Sequence, residues 1–116
     1  MYIVLKMTLT TLLFSLLVYA EDTAKLFGKN CAMCHDESST IAPSPEVVAV
    51  AVKAKYPAKE KFTNFSLDFM LDPKEEKSVF GKAAIENYGL MISQKDVLPE
   101  ETLKALIEYL YDNYGK

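Results

Sequence analysis

The sequence predicts an all-helical domain in which short helices alternate with loops. Apolar residues recur at three- and four-residue spacing in several segments, and proline or glycine stands where those segments begin or end. No two alternating apolar and polar runs are joined by a tight turn, so we expect no β-hairpin. A length of 116 residues suits one small domain.

The first 20 residues have the layout of a secretory signal peptide. Lys6 precedes a mostly apolar run, Met7–Val18, and the small residue Ala20 is followed at once by two acidic residues. This run of 12 residues is shorter than the roughly 20 that a membrane-spanning helix needs. We expect cleavage after Ala20, export to the periplasm and a mature domain of residues 21–116 without a membrane span. An uncleaved anchor is the alternative.

Charge and size restrict the classes of partner. Without Lys6, the mature chain has 12 basic and 16 acidic residues, a net charge of −4. Its lysines are interleaved with acidic residues, so we expect no nucleic-acid partner. A chain of 96 residues buries only about 60 to 65 % of its unfolded surface, and a bound cofactor would therefore contribute much of its core. We expect an acidic monomer.

Two helices are predicted in the first half of the mature chain. Residues 21–30 form the first, with Leu26 and Phe27 on its apolar side. After a polar loop, Ser44 is a typical N-cap and Pro45 a typical first residue of the second helix. The valines that follow would also suit a buried strand, but the capping residues favour a helix.

Three more helices are predicted in the second half. Phe62, Phe65 and Phe69 form a helical stripe, and Pro73 ends that helix. A short helix is predicted from a Ser78 cap to Gly89. The last helix begins after Pro99 with two glutamates and carries a strongly periodic apolar stripe, which consists of Leu103, Leu106, Ile107 and Leu110.

Both cysteines and the only histidine of the chain stand within the five residues Cys31-Ala32-Met33-Cys34-His35. A redox dithiol, part of a zinc site or covalent haem attachment could use such a cluster. Thioredoxin-like chemistry would need a strand-helix-strand pattern, and structural zinc would need a fourth ligand. A disulfide across two intervening residues would close too small a loop to stabilise the domain.

Haem attachment accounts for all three side chains. The thiols of Cys31 and Cys34 can each add to one vinyl group of the porphyrin, and the His35 imidazole is then held beside the iron as its proximal ligand. We therefore predict one covalent haem c, with iron, on these residues.

The mature chain resembles a small single-haem cytochrome c of class I from a bacterial periplasm. The resemblance rests on Leu26-Phe27, the motif Cys31–His35 and "LKALIEYL" at Leu103–Leu110, and less specifically on Asp68–Ser78 and Gly89-Leu90-Met91. It implies a cytochrome c-like fold of short helices and loops packed around the haem. In that fold the first and last helices cross, so that Phe27 meets Leu106 and Tyr109.

The resemblance also implies a methionine as the second axial ligand of the iron. Met91 lies in a loop that could aim its sulfur at the metal, and it is our preferred ligand, with Met70 as the alternative. Met33 lies inside the attachment motif on the proximal side. The backbone carbonyl of Ala42-Pro43 is the expected acceptor for the second ring nitrogen of His35.

These features predict an electron-transfer protein rather than an enzyme. No nucleophile, base and oxyanion-binding set is apparent, and the partners would be a redox donor and acceptor that the sequence does not identify. Two alternatives are a haem-based ligand-binding or sensing protein, in which the sixth ligand is displaceable, and a haem relay subunit of a larger redox enzyme.

Overall fold

The computed structural model describes residues 22–116, in which six α-helices and one short 3₁₀-helix alternate with loops. The elements are α1 (residues 22–30), α2 (Ala32–His35), α3 (Pro45–Lys55), α4 (Lys59–Leu71), the 3₁₀-helix (Glu75–Lys77), α5 (Gly81–Tyr88) and α6 (Glu100–Asn113). The described range contains no strand, which confirms the all-helical prediction. The predicted signal peptide lies outside the described residues.

Helix α3 begins at the predicted residues. The Ser44 Oγ accepts a hydrogen bond from the Val47 N–H at 3.2 Å, and Pro45 occupies the first helical position. This cap satisfies one of the N–H groups that a helix start leaves without a partner. The capping residues therefore prevail over the β-propensity of the valines, and the prediction of a helix is confirmed. Ala49 and Val52 are buried on its inner side.

Helices α4 and α6 form the most extensive contact between helices in the described range. Phe62 on α4 is completely buried, and its ring meets that of Tyr111 edge-on at 5.0 Å between centroids. Helix α4 ends at Leu71 with Asp72 as its C-cap, immediately before Pro73, which was predicted to end the helix. The predicted stripe of α6 is confirmed because its four members are all buried: Leu103, Leu106, Ile107 and Leu110.

Helix α5 begins later than the sequence indicated. The predicted cap, Ser78, lies three residues before the first helical residue, Gly81, and the capping position is held by Phe80 without a side-chain hydrogen bond. The Ser78 Oγ instead accepts from the Phe80 N–H at 3.3 Å, inside the preceding turn. Gly81 has a φ of +75°, a conformation that glycine adopts without strain. The end of the helix at Gly89 is confirmed.

The core joins the first and last helices. Phe27 and Leu106 belong to one buried cluster, and the Phe27 ring lies 5.0 Å from that of Tyr109 and 5.6 Å from that of Tyr114. The predicted contact between Phe27 and Tyr109 is therefore confirmed. Nothing in the described range is a helix both long and apolar enough to cross a membrane.

Candidate functional site

A cavity of about 390 Å³ lies at the centre of the described domain. Every α-helix contributes residues to its wall, as do the loop that contains Pro43 and the segment that contains Met91. The lining within the described range includes no Asp, Glu, Lys or Arg side chain. Its size and apolar character are those of a site for a small molecule or cofactor.

The three residues of the predicted attachment motif line this cavity. The backbone continues directly from α1, since the Cys31 N–H donates to the Phe27 carbonyl at 2.9 Å. The Cys31 carbonyl in turn accepts from the N–H groups of Cys34, at 3.3 Å, and His35, at 2.9 Å. This turn places both thiols and the imidazole in the cavity wall.

The two thiols differ in their surroundings. Burial raises the pKa of the Cys31 thiol to about 11, from an ordinary value of 9.0, whereas Cys34 is exposed. A thiol with such a pKa remains protonated at neutral pH, and the thiolate is the nucleophilic form of cysteine. Cys31 is therefore much less reactive in the folded chain than in the unfolded chain.

The His35 ring has a defined orientation and tautomer. Its Nδ1 lies 2.7 Å from the Pro43 carbonyl oxygen. Because a carbonyl oxygen can only accept a hydrogen bond, Nδ1 carries the proton and the neutral ring keeps its lone pair on Nε2. A metal-binding histidine typically has this arrangement. The predicted Pro43 acceptor is confirmed.

Two methionines line the same cavity. Met70, on α4, is partly buried and packs against the core, and Met91 is half-buried in the segment between α5 and α6. Met33 is 74 % exposed and is not part of the cavity wall. The structure therefore brings both candidate sulfur ligands to the cavity that contains His35.

Sequence reasoning missed Ser66. This residue lines the cavity from α4 and is only 7 % exposed. Ser66 lies four residues after Phe62 and three before Phe69, on the same face of the helix. A polar residue on an otherwise apolar stripe could have indicated a group that faces a cavity.

A zinc site was the second alternative for this cluster, and the part of the chain that the structure describes contains no complete set of zinc ligands. No three or more His, Cys, Asp and Glu side chains of residues 22–116 are grouped so that they could hold a metal ion. The cavity offers one imidazole, two thiols and two thioethers instead.

Comparisons with known proteins give one distant relative. An uncharacterized protein of Aquifex aeolicus (strain VF5) is 28 % identical over 109 residues, which cover 78 % of this chain and 72 % of the relative. No protein-family profile and no solved structure matches the chain. The chemistry of the cavity must therefore be argued from its own residues.

Proposed function

We propose that the protein is an electron carrier with a cytochrome c-like fold and one covalently bound haem c. The observation that carries this proposal is the His35 imidazole, whose Nδ1 is bound to the Pro43 carbonyl at 2.7 Å in the wall of an apolar cavity. The same wall contains both cysteines of the chain, immediately before this histidine. Neither a dithiol nor a zinc site would need that combination.

The described residues fit a haem group. Cys31 and Cys34 would hold it through thioether bonds, and both are free thiols in the cavity wall. His35 Nε2 would be the proximal ligand of the iron, and Met91, or in its place Met70, would supply a sulfur to the other side. When bound, haem supplies an iron that gains and loses one electron.

The side chains of the cavity would tune the redox behaviour of that iron. The bond to Pro43 keeps the His35 Nδ1 protonated and increases the electron-donating strength of Nε2. A methionine sulfur is a soft, neutral donor that favours the ferrous state and so raises the potential. The uncharged lining acts in the same direction, because it disfavours additional positive charge.

A second candidate function is ligand binding or sensing by the same haem. It is favoured by the position of Met91, which lies in a stretch of the chain, residues 72–99, without a single buried residue. A sulfur ligand held by so few packing contacts would be easier to displace by a small molecule such as carbon monoxide. The two functions differ in whether the sixth ligand stays bound in the ferrous protein.

The proposal includes export. The chain would be cleaved after Ala20 and would receive haem in the periplasm while still unfolded, since burial makes Cys31 a poor nucleophile once the domain has folded. The mature domain would then exchange single electrons with a donor and an acceptor protein. No substrate is transformed by the protein itself.

Intact mass measurement tests the proposal. The full-length chain is produced in a bacterium that attaches haem to exported proteins, and the purified product is weighed and examined by haem staining after denaturing electrophoresis. We expect the mass of residues 21–116 plus one haem, retained on denaturation because thioether bonds survive unfolding. The matched variant Cys31→Ala/Cys34→Ala should carry none.

A wild-type protein without covalent haem would overturn the proposed function. A product that carries haem but retains its first 20 residues and fractionates with membranes would instead support the uncleaved anchor. The mass spectrum shows whether haem and the first 20 residues are present, and cell fractionation shows membrane association.

A further inference from the structure

The C-terminal residues Tyr114 and Gly115, here called the C-terminal strap, are bound to helix α3 by the partly buried side chain of Lys53. The Lys53 ammonium donates to the carbonyl oxygens of Tyr111 and Tyr114 at 2.7 Å each and lies 3.4 Å from that of Gly115. It also lies 4.3 Å from the centre of the Tyr111 ring. One cation thus satisfies carbonyls at the end of α6 that have no partner within the helix.

A second set of contacts fastens the strap to the first turns of α3. The Gly115 N–H donates to the Glu46 carboxylate at 3.0 Å. Gly115 has a φ of +68°, and a Cβ at this position would lie 3.0 Å from the Ala49 Cβ. Only glycine combines this conformation with so close an approach. The strap therefore contacts α3 through Glu46 in its first turn, which follows the Pro43 loop, and through Lys53 in its last turn.

The start of α3 and the Pro43 carbonyl form one stiff unit. Only Ser44 separates Pro43 from Pro45, and the two proline rings fix φ on both sides of it. Ser44 is itself held by its cap on Val47, and Pro45 is buried. A displacement of the first turn of α3 must therefore displace the carbonyl that accepts the His35 Nδ1–H.

We propose that the C-terminal strap, through Lys53 and Glu46, positions the Pro43 carbonyl and thereby the His35 imidazole. Lys53 and Glu46 are positioning residues for the proximal ligand, and neither lines the cavity. The inference deepens the proposed function and rests on it, since the orientation of His35 matters most when its Nε2 holds the iron.

The direction of the effect follows from the hydrogen bond. When the strap is released, the first turn of α3 moves more freely and the Pro43 carbonyl accepts less effectively from Nδ1. His35 then donates less electron density through Nε2, which destabilises the ferric state and raises the reduction potential. The exchange of the Nδ1 proton with solvent becomes faster because its protecting bond opens more often.

Four variants of the haem-loaded protein test the proposal. Lys53→Met and Glu46→Ala each remove one fastening of the strap. Glu46→Gln retains an oxygen that accepts from Gly115. Lys59→Met is the matched control, because it removes a long-range lysine contact of α6, to Asp112 at 2.9 Å, that does not involve α3.

Three quantities are measured on each variant: the exchange rate of the His35 Nδ1 proton by NMR of the ferrous protein, the reduction potential, and the denaturant midpoint. We expect about a tenfold increase of the exchange rate, the effect of losing one hydrogen bond of ordinary strength, in Lys53→Met and Glu46→Ala. The potential should rise in the same two variants. Glu46→Gln and Lys59→Met should keep the wild-type exchange rate and potential.

The proposal is overturned if Lys53→Met and Glu46→Ala lower the denaturant midpoint yet leave the His35 exchange rate and the potential unchanged. Should Lys53→Met fail to fold, the comparison of Glu46→Ala with Glu46→Gln decides alone, since equal exchange rates in these two would refute positioning. A wild-type protein that carries no haem would be a failure of the proposed function, which the mass measurement detects before any variant is compared.

Discussion

The two sides of the cavity are held in different ways. On the attachment side, α1 and α3 contribute the buried residues Phe27, Ala49 and Val52, and the His35 ring is bound to the Pro43 carbonyl. The segment that contains Met91, residues 72–99, is here called the distal segment and includes no buried residue. Four of the large apolar residues of the distal segment are exposed: Tyr88, Leu90, Ile92 and Val97.

Val79 and Leu98 of the distal segment pack against the core while partly exposed, and the polar contacts of the segment with α4 lie near the end of that helix. The Gln94 N–H donates to the Met70 carbonyl at 2.8 Å, and the Ser93 hydroxyl donates to the Leu71 carbonyl at 2.7 Å. Lys77 pairs with Asp68, also on α4.

The site is more firmly held near His35 than near Met91. A segment with few buried apolar contacts opens at a lower free-energy cost than one that belongs to the core. His35, the proposed proximal ligand, is therefore fixed in orientation by Pro43, whereas Met91 lies in the segment with few buried contacts. Rearrangement of the site should therefore begin at Met91, the proposed sixth ligand.

The largest effect is expected from Met91→Ala. If the Met91 sulfur is the sixth ligand, this variant should keep its haem but lose the weak far-red absorption of ferric iron bound by methionine. The ferrous protein should change from slow or negligible to rapid binding of carbon monoxide, and its potential should fall because a ferrous-favouring donor is lost. Visible spectra of the oxidised, reduced and carbon monoxide-treated protein measure all of this.

Met70→Ala is the matched variant for the alternative sulfur ligand. Met70 is partly buried against the core, so its truncation should lower the free energy of unfolding by about 2 kcal/mol, near the lower end for a core methionine. Its far-red band should persist. If the band disappears in Met70→Ala and survives in Met91→Ala, the ligand is Met70. If the wild type binds carbon monoxide rapidly, ligand binding becomes the better supported function.

The fold was predictable where local residues determine the structure. The Ser44-Pro45 cap and the apolar stripe of α6 depend on neighbours in sequence, and both were correctly predicted. The start of α5 was not, because the helix begins at Gly81 without a side-chain cap and Ser78 serves a turn instead.

The site likewise has a part that nearby residues determine and a part that depends on contacts between distant residues. The motif itself and the Pro43 acceptor lie within 13 residues of each other, and the sequence identified both. The bonds of Lys53 with the end of α6 and with the C-terminal strap join residues 58 to 62 positions apart. No periodic pattern or capping residue indicates such a contact, since it depends on how α3 and α6 pack.

An effect of comparable size, which arises from ionisation instead of packing, is expected from Cys31 when haem is absent. The Cys31 thiol has a pKa of about 11 in the folded chain, against 9.0 when solvated. Between these values the unfolded chain has released a proton that the folded chain retains, so rising pH favours unfolding. We expect the haem-free chain to lose about 2 kcal/mol of stability between pH 9 and pH 11 from this group.

Denaturant unfolding at several pH values measures that loss. Lysines and tyrosines titrate in the same range, so the decisive quantity is the difference between variants. Cys31→Ala should flatten the curve by the stated amount, whereas Cys34→Ala, which removes an exposed thiol, should leave it unchanged. An identical pH dependence of wild type and Cys31→Ala would mean that the thiol is not buried in the folded chain. In the haem-bound protein the thioether does not titrate, so this contribution should be absent.

The smallest effect is expected from the removal of one hydrogen bond, either at Ser44 beside Pro43 or at Ser93 in the distal segment. Ser44→Ala removes the acceptor for the Val47 N–H and should lower the free energy of unfolding by about 1 kcal/mol, whereas Ser44→Asp keeps an acceptor and should not. Because Ser44 follows Pro43 directly, Ser44→Ala should also accelerate exchange of the His35 Nδ1 proton.

Ser93→Ala, which removes the bond to the Leu71 carbonyl in the distal segment, should leave that proton protected and instead speed binding of carbon monoxide. If Ser93→Ala exposes the His35 proton as much as Ser44→Ala does, the two sides are coupled and the contrast between them is wrong.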